Sequence, residues 1–468
     1  MYVLALACCY VLLAPVWTPP MHVTVYDRAR FLQLAVLALA VTLFLLPKVA
    51  DTATRFWFGL GTPARALVAI TLSIGSLSAM LSASPRLGAL EIALLLQLVV
   101  FFLVVGGAVR QLGARSDGAI AVAACAAAAL FVMKFWTTQL IYLAEGKQFS
   151  WVAPFLEFAN VRFFSQYQSY TLLLLVLPAI LFRLNWRWRA LVYFVAASFW
   201  SLQWMVGTRS VWAGLVAALV IVLIFAGRGR MRWMRDQLLL VLAGGAIALA
   251  ASILVFSQPQ ATPVPKKISI LERGEYSTNE RVTMLTAAFR LIREHPLLGI
   301  GPGQFGLVYS ETRAAHPHNT PVQLVTEYGV IAGGAAVGLG ALLFLFAVAT
   351  LRRNRSQHVD GVATTLSAAL IMGLVDSVFS GNLIMPHSQV MLCVLAAWLV
   401  GREFRRSDVD IPSSRVRRAS TALQSAALAA VAITTILGIS YYDAIQAMPG
   451  IAQVWVPHFW QFGRFDAW

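Results

Sequence analysis

Glu294-His295-Pro296-Leu297-Leu298-Gly299-Ile300-Gly301-Pro302-Gly303-Gln304-Phe305, with His316-Pro317-His318-Asn319-Thr320-Pro321 after it, forms the centre of a polar island, Ser257 to Gly329, in an otherwise apolar chain. The island holds three of the seven histidines and seven of the 36 Lys and Arg residues. About 256 residues precede it and about 139 follow it, mostly in long apolar runs. A polar segment kept between so many lipid-facing stretches is the expected place for chemistry.

Of the 468 residues, 59% are hydrophobic and only 12% are charged. A water-soluble domain this apolar would expose large apolar patches and aggregate, so its solvent is a bilayer. Backbone groups in lipid must be satisfied within the chain, which makes uniformly apolar spans helical. The short alternating segments of a β-barrel are missing. The expected fold class is therefore an all-α polytopic integral membrane protein.

Apolar segments fall at 2–17, 31–47, 65–83, 88–109, 118–143, 168–183, 190–207, 211–227, 237–256, 328–351, 362–380, 387–401 and 419–441. By the span-length criterion that gives about 12–13 transmembrane helices, with 2–17, 211–227 and 387–401 short. The run from Tyr2 to Trp17 lacks a basic start and a small-residue cleavage site, so it reads as a retained helix. The expected division is 1–256, transmembrane helices; 257–327, an outer loop with amphipathic helices; 328–441, further transmembrane helices; and 442–468, a tail. That tail carries Trp455, Phe459, Trp460, Phe462, Phe465 and Trp468 and is expected to lie on the outer membrane interface. Pro259–Pro265 is the one Pro-rich linker, and no internal repeat is visible.

The net charge of +16 would suggest nucleic acid in a soluble protein; here the positive-inside rule accounts for it. With the N-terminus inside, the inner connectors carry Arg183/Arg187/Arg189, Arg228/Arg230/Arg232/Arg235, Arg352/Arg353/Arg355 and Arg402/Arg405/Arg406/Arg415/Arg417/Arg418. The polar island then faces outward, towards the periplasm of a bacterial inner membrane. Cys8, Cys9, Cys125 and Cys393 all lie in apolar runs and have neither disulfide-framework nor zinc spacing.

Within the island, Ser277-Thr278-Asn279-Glu280 reads as a capping box. Val282, Leu285, Phe289 and Ile292 follow at spacings of three and four, the apolar face of an amphipathic helix ending near Pro296. Arg281 then falls in the first turn, where a cation opposes the helix dipole, either as a solvated arginine or to hold an anion. The glycines at 299, 301 and 303 read as a sharp turn rather than a phosphate cradle. Thr320 is a candidate N-cap, Pro321 suits the first helical position and Gln323 completes the box. His318 lies just ahead of that helix, whose positive end favours a neutral imidazole, the form a general base needs. Thr208-Arg209-Ser210 is a tight outer connector, and Arg162 and Gln166 sit in a stretch mixing a cation, amides and aromatics. Asp376, Glu91 and Lys134 are intramembrane charges, functional or simply paired.

These features together resemble the bacterial O-antigen ligase superfamily, which includes O-antigen polymerases and protein O-oligosaccharyltransferases. The resemblance rests on Arg209 in its short Thr-Arg-Ser turn, Arg281 on the amphipathic helix, the run 295–305, and His318-Asn319 followed by Gly329. The ligase pattern has Gly, Thr or Tyr three residues after that glycine; Ala332 stands there, with Gly333 next, so the sister branches stay open. The resemblance implies a GT-C-like glycosyltransferase that moves a glycan from undecaprenyl diphosphate to an acceptor, lipid A–core in the ligase branch, without a metal or other cofactor. It implies His318 as base, Arg209 and Arg281 as diphosphate ligands, and Arg162, Gln166, His316, Asn319 and Glu327 as further substrate contacts. Single displacement by one base inverts the anomeric carbon. A transporter or flippase is the reading from another class, and it needs more intramembrane charges than these spans offer.

Overall fold

The computed structural model describes residues 1–147, 150, 153–227, 229–256, 272–309, 316–353, 360–404, 411–446 and 459–460, with side chains placed outside 254–256, 272–280 and 446. Among them every regular element is a helix and there is no strand. Each of the thirteen apolar segments falls on helix.

Eight of the described helices are long and apolar enough to cross a membrane, nine when one bent pair is counted as a span. That is fewer than the 12–13 expected. Tyr2–Leu13 and Arg209–Phe225, at 12 and 17 residues, are shorter than a full span. Trp186–Val206 and Pro386–Glu403 fall outside the eight, their apolar residues being diluted by Trp, Ser, Gln and terminal charges. The bent pair is Val25–Phe44 with Pro47–Gly59, which turn through 100°. Pro47 has no amide hydrogen to continue the first helix but suits the first position of a new one.

Pro85–Leu112 is a central element, packed by Pro386–Glu403, Ser413–Gln446, Pro47–Gly59 and Thr62–Met80. At one end of the bundle Arg402 bridges Asp117 and Asp360, and Trp398 Nε1 donates to Asp117 at 2.7 Å. Asp360 also caps Gly361–Phe379 by accepting from Val362 and Ala363. At the other end the connectors gather. Gln304 Nε2 donates to Ser84 O at 2.9 Å and the Ser84 amide donates back to Gln304 Oε1 at 3.1 Å. Thr320 Oγ1 donates to Ser380 O at 3.2 Å, and Arg30 donates to Ile384 O at 2.7 Å.

Three local expectations are corrected. The amphipathic helix begins at Glu272, not after Ser277, which puts Arg281 well inside Glu272–Glu294 rather than in its first turn. Ser, Thr and Asn cost only tenths of a kcal/mol in a helix interior, about 0.5 each, so a four-residue capping signal does not stop a helix. Its buried face is Met284, Ala287, Ala288 and Leu291, while Val282 and Phe289 are exposed. In the tail, Phe459 and Trp460 are buried rather than interfacial: Trp460 stacks on Tyr441 at 4.3 Å and the Phe459 carbonyl accepts from Arg30. Trp455, Phe462, Phe465, Trp468 and the Pro259–Pro265 linker lie outside the described residues.

Candidate active site

The glycine run is held by a break in the helix that follows it. Thr320–Arg353 departs from helical geometry at Gly329 (φ 75°, ψ 173°). In an unbroken helix Thr326 O would accept from the amide of Val330. Here Val330 N donates to Pro296 O at 2.8 Å, and the freed carbonyls of Thr326 and Glu327 accept from Ile300 N (3.1 Å) and Gly301 N (2.9 Å). The two strands of backbone cross so closely that a Cβ on Gly299 would stand 2.5 Å from Glu327 O, and one on Gly329 would collide with Leu297 O. Both glycines have positive φ, +69° and +75°. The turn expected at 299–303 is thus present, and its glycines serve close approach as well as conformation.

Glu327 closes this crossing. Its buried carboxylate accepts from Gly303 N at 3.1 Å and Phe305 N at 3.3 Å. These are charge-assisted bonds that fix the loop to the helix. Phe305, Ile300 and Tyr309 pack in turn on Met284, Ala288 and Leu291 of Glu272–Glu294, so the helix bearing Arg281 and the helix following His318 share one core. Glu327 is therefore engaged with backbone, a partnership between residues 22 and 24 apart that no local signal marks.

His318 adopts φ +53°, one of two non-glycine residues with positive φ among the described residues. Such a backbone costs about 1–2 kcal/mol and persists where the surroundings enforce it. The enforcement is visible. His318 N donates to His316 Nδ1 at 3.2 Å, and the two rings meet edge to face with centroids 4.3 Å apart. The buried His316 ring fills the space over Gly381, where any Cβ would strike it. Asn319 is the cap: its Oδ1 accepts from Val322 N at 2.9 Å. The cap thus lies one residue before the expected Thr320, because the Thr320 hydroxyl is committed to Ser380 O.

The electrostatics link the separate chain regions. The His318 pKa is lowered from its ordinary value to about 4, by burial first, then by the charges of Arg281 and Arg162. Its imidazole is uncharged at neutral pH as expected, though burial and arginines rather than the helix terminus are the cause. Arg281 is pushed down by burial and by the nearby charges of Arg162 and Arg209. Arg162, Arg209 and Arg281 are exposed as whole residues, although the Arg281 head group is partly withdrawn from water. Arg209 opens Arg209–Phe225 after its Thr208 cap, two residues past Gly207, the left-handed cap of Trp186–Val206. Arg162 opens Val161–Thr171 behind its Asn160 cap. Separate chain regions thus bring Arg281 and Arg162 to one neutral ring, with Arg209 beside Arg281.

Gln166 is buried, and its Oε1 has no hydrogen-bond partner among the described residues. The intramembrane charges fall into different roles. Lys134 pairs with Glu157. Asp376 accepts from Asn382 Nδ2 at 3.0 Å and lies among Ser169, Ser210 and Ser380, beneath the turn that carries Arg209. Glu91 lines a cavity described below. Sequence reading singled out neither Arg30 nor Ser82 and Ser84; no spacing rule points to them, since they act on loops more than 200 residues away. Among the described residues no cluster of three or more His, Cys, Asp or Glu has the geometry of a metal site.

Fold and site together define a multi-pass membrane protein, helical throughout the described residues, in which arginines from separate chain regions gather near a neutral histidine. Residues 202–336 match the family described as O-Antigen ligase, whose members are glycosyltransferase-like enzymes. The matched region contains Arg209, Arg281, His318 and Glu327, and it excludes Arg162 and Gln166. No curated protein matches the chain.

Proposed function

We propose that the protein is an O-antigen ligase that transfers a preassembled glycan from undecaprenyl diphosphate to lipid A–core at the periplasmic face of a bacterial inner membrane. The observation carrying this reading is the neutral His318 ring standing in the field of Arg281 and Arg162, with Arg209 beside Arg281. Clustered guanidinium groups repel one another, and an anion between them relieves that repulsion. A diphosphate supplies the charge and the oxygen geometry that guanidinium forks match.

In the step itself, an acceptor hydroxyl oxygen attacks the anomeric carbon. The bond from that carbon to the diphosphate oxygen breaks, its electron pair stays on the diphosphate, and the arginines stabilise the charge that develops there. The hydroxyl proton passes to His318. One displacement by one base gives inversion. Glu327, His316 and Asn319 serve by fixing the loop and the unusual His318 backbone. Bound diphosphate also offsets the arginine charges that depress the His318 pKa, so the ring becomes a stronger base once donor is present.

The test is transfer by membranes given lipid-linked glycan and lipid A–core. His318→Ala should lower turnover by about 10²–10⁴-fold. Full transfer by that variant would remove the base. Arg281→Gln and Arg209→Gln should impair donor use. Product appearing on a lengthened polyprenyl glycan or on a protein, instead of lipid A–core, would move the assignment to a sister branch.

A further inference from the structure

A cavity of about 530 Å³ runs beside the site and plays no part in the chemistry above. Over most of its length it is lined by apolar side chains, such as Leu94, Leu98 and Phe102 of Pro85–Leu112 and Leu339, Leu342 and Phe346 of Thr320–Arg353. One end is polar: Thr320, Gln323, Glu327, Glu91, Arg30 and Gln389. Each of these six comes from the first eight residues of a helix, and those helix starts meet at the site end of the bundle. The outer walls, Thr62–Met80 and Thr320–Arg353, are largely exposed along their apolar lengths, whereas Pro85–Leu112 behind them is mostly buried. The cavity is thus a lipid-side groove whose polar end includes Thr320, two residues after His318 in the chain.

We infer that this groove holds one acyl chain of the glycolipid acceptor, and so sets the height at which its hydroxyl meets His318; the inference rests on the glycosyl transfer proposed above. The lining selects a hydrocarbon chain. A chain moving in from the bilayer gains no hydrophobic free energy, because lipid tails are already apolar, so the groove positions the molecule while the polar end recognises it. That end suits sugar hydroxyls. Its carboxylates, Glu91 and Glu327, repel a diphosphate, and the amides Gln323 and Gln389 lie in the same lining, Glu327 and Gln389 being held by protein partners. Arg30 is the one cation in the lining, and all five of its N–H donors are engaged by Phe459 O, Gln33, Gln389, Tyr26 and Ile384 O. None of Arg162, Arg209 and Arg281 lines the groove. The helices opened by Arg162 and Arg209 pack on Gly361–Phe379, as does Thr320–Arg353. The groove therefore takes the acceptor chain and leaves the diphosphate to the arginines.

The test uses the full chain in phosphatidylcholine nanodiscs and two photoprobes: a lipid A analogue with a diazirine at the end of one acyl chain, and a polyprenyl diphosphate with a diazirine at its tail end. The lipid A probe should label Pro85–Leu112 and Thr320–Arg353. Ala336→Phe, which fills the groove, should reduce that labelling about tenfold, a loss of about 1.4 kcal/mol. Ile331→Phe, exposed on the same helix and outside the lining, should leave it unchanged. In transfer assays Ala336→Phe should raise KM for acylated acceptor and leave KM for the donor and the use of de-acylated acceptor as they were. Labelling of the groove by the polyprenyl probe instead, or lipid A labelling indifferent to Ala336→Phe, overturns the inference. Correct labelling in a protein that transfers no glycan would retain the groove assignment and defeat the transferase reading.

Discussion

Glu327 and Gly303 are joined by a hydrogen bond of 3.1 Å from the glycine amide to the buried carboxylate, whose second oxygen accepts from Phe305 N. One side chain therefore locks the glycine loop to the helix that follows His318. Glu327→Gln removes the charge and turns an amide N–H towards a backbone donor. Leaving that donor unsatisfied costs about 1–3 kcal/mol. The variant should melt at lower temperature and lose about tenfold in kcat/KM, the equivalent of about 1.4 kcal/mol. Glu294→Gln, whose partner Arg290 is an exposed surface contact, should change neither quantity. Thermal denaturation and transfer kinetics on the pair decide it.

Gly329 carries the helix break that lets residues 296–301 hydrogen-bond to 326–330. Gly329→Ala puts a Cβ into Leu297 O at a positive φ, so the crossing must open. Transfer should be abolished while the protein still inserts in the membrane, because the apolar length of the span is unchanged. Gly334→Ala, five residues further along the same helix, meets nothing within 4 Å and should be active. Equal activity of the two variants would show that the crossing is not required.

How far these features can be read in the primary structure follows from their range. The apolar runs announced every described span, because spanning depends only on local composition. The glycine turn was legible from its three glycines. The start of Glu272–Glu294 was misplaced because a local Ser-Thr-Asn-Glu signal was outweighed by a helix that continues through it. The buried face of that helix, Met284 to Leu291, was missed because alanines at 287 and 288 pack as closely as larger residues while carrying little hydrophobic signal. The cap moved from Thr320 to Asn319 because Ser380, sixty residues away, claims the threonine hydroxyl. Partners of that kind, and the Gln304 contacts with Ser82 and Ser84, exist only once the chain has folded.

The opposite end of the bundle has its own dependence. Arg402 pairs with both Asp117, which is buried, and Asp360, the cap of Gly361–Phe379. Arg402→Leu takes the countercharge from a buried carboxylate and should destabilise the protein by about 3 kcal/mol. The loss should appear as a lower melting temperature, while kcat of the protein remaining folded stays at the parent value, since the bridge lies across the bundle from His318. A selective loss of kcat with unchanged melting would contradict this.

The pH dependence of transfer tests the proposed base directly. A base works when deprotonated, so kcat/KM should fall as pH drops through the free-enzyme pKa of His318, which burial, Arg281 and Arg162 hold at about 4. The acid limb of kcat/KM should therefore lie well below the ordinary imidazole range. That of kcat, which reports the donor-bound enzyme, should lie higher, because the diphosphate offsets the arginine charges. Arg281→Gln removes one of the two charges that depress the ring, so its kcat/KM limb should move towards higher pH. Transfer rates measured from pH 4 to 8 on both proteins give the comparison, and a limb that does not move on loss of Arg281 would mean that another group carries the proton.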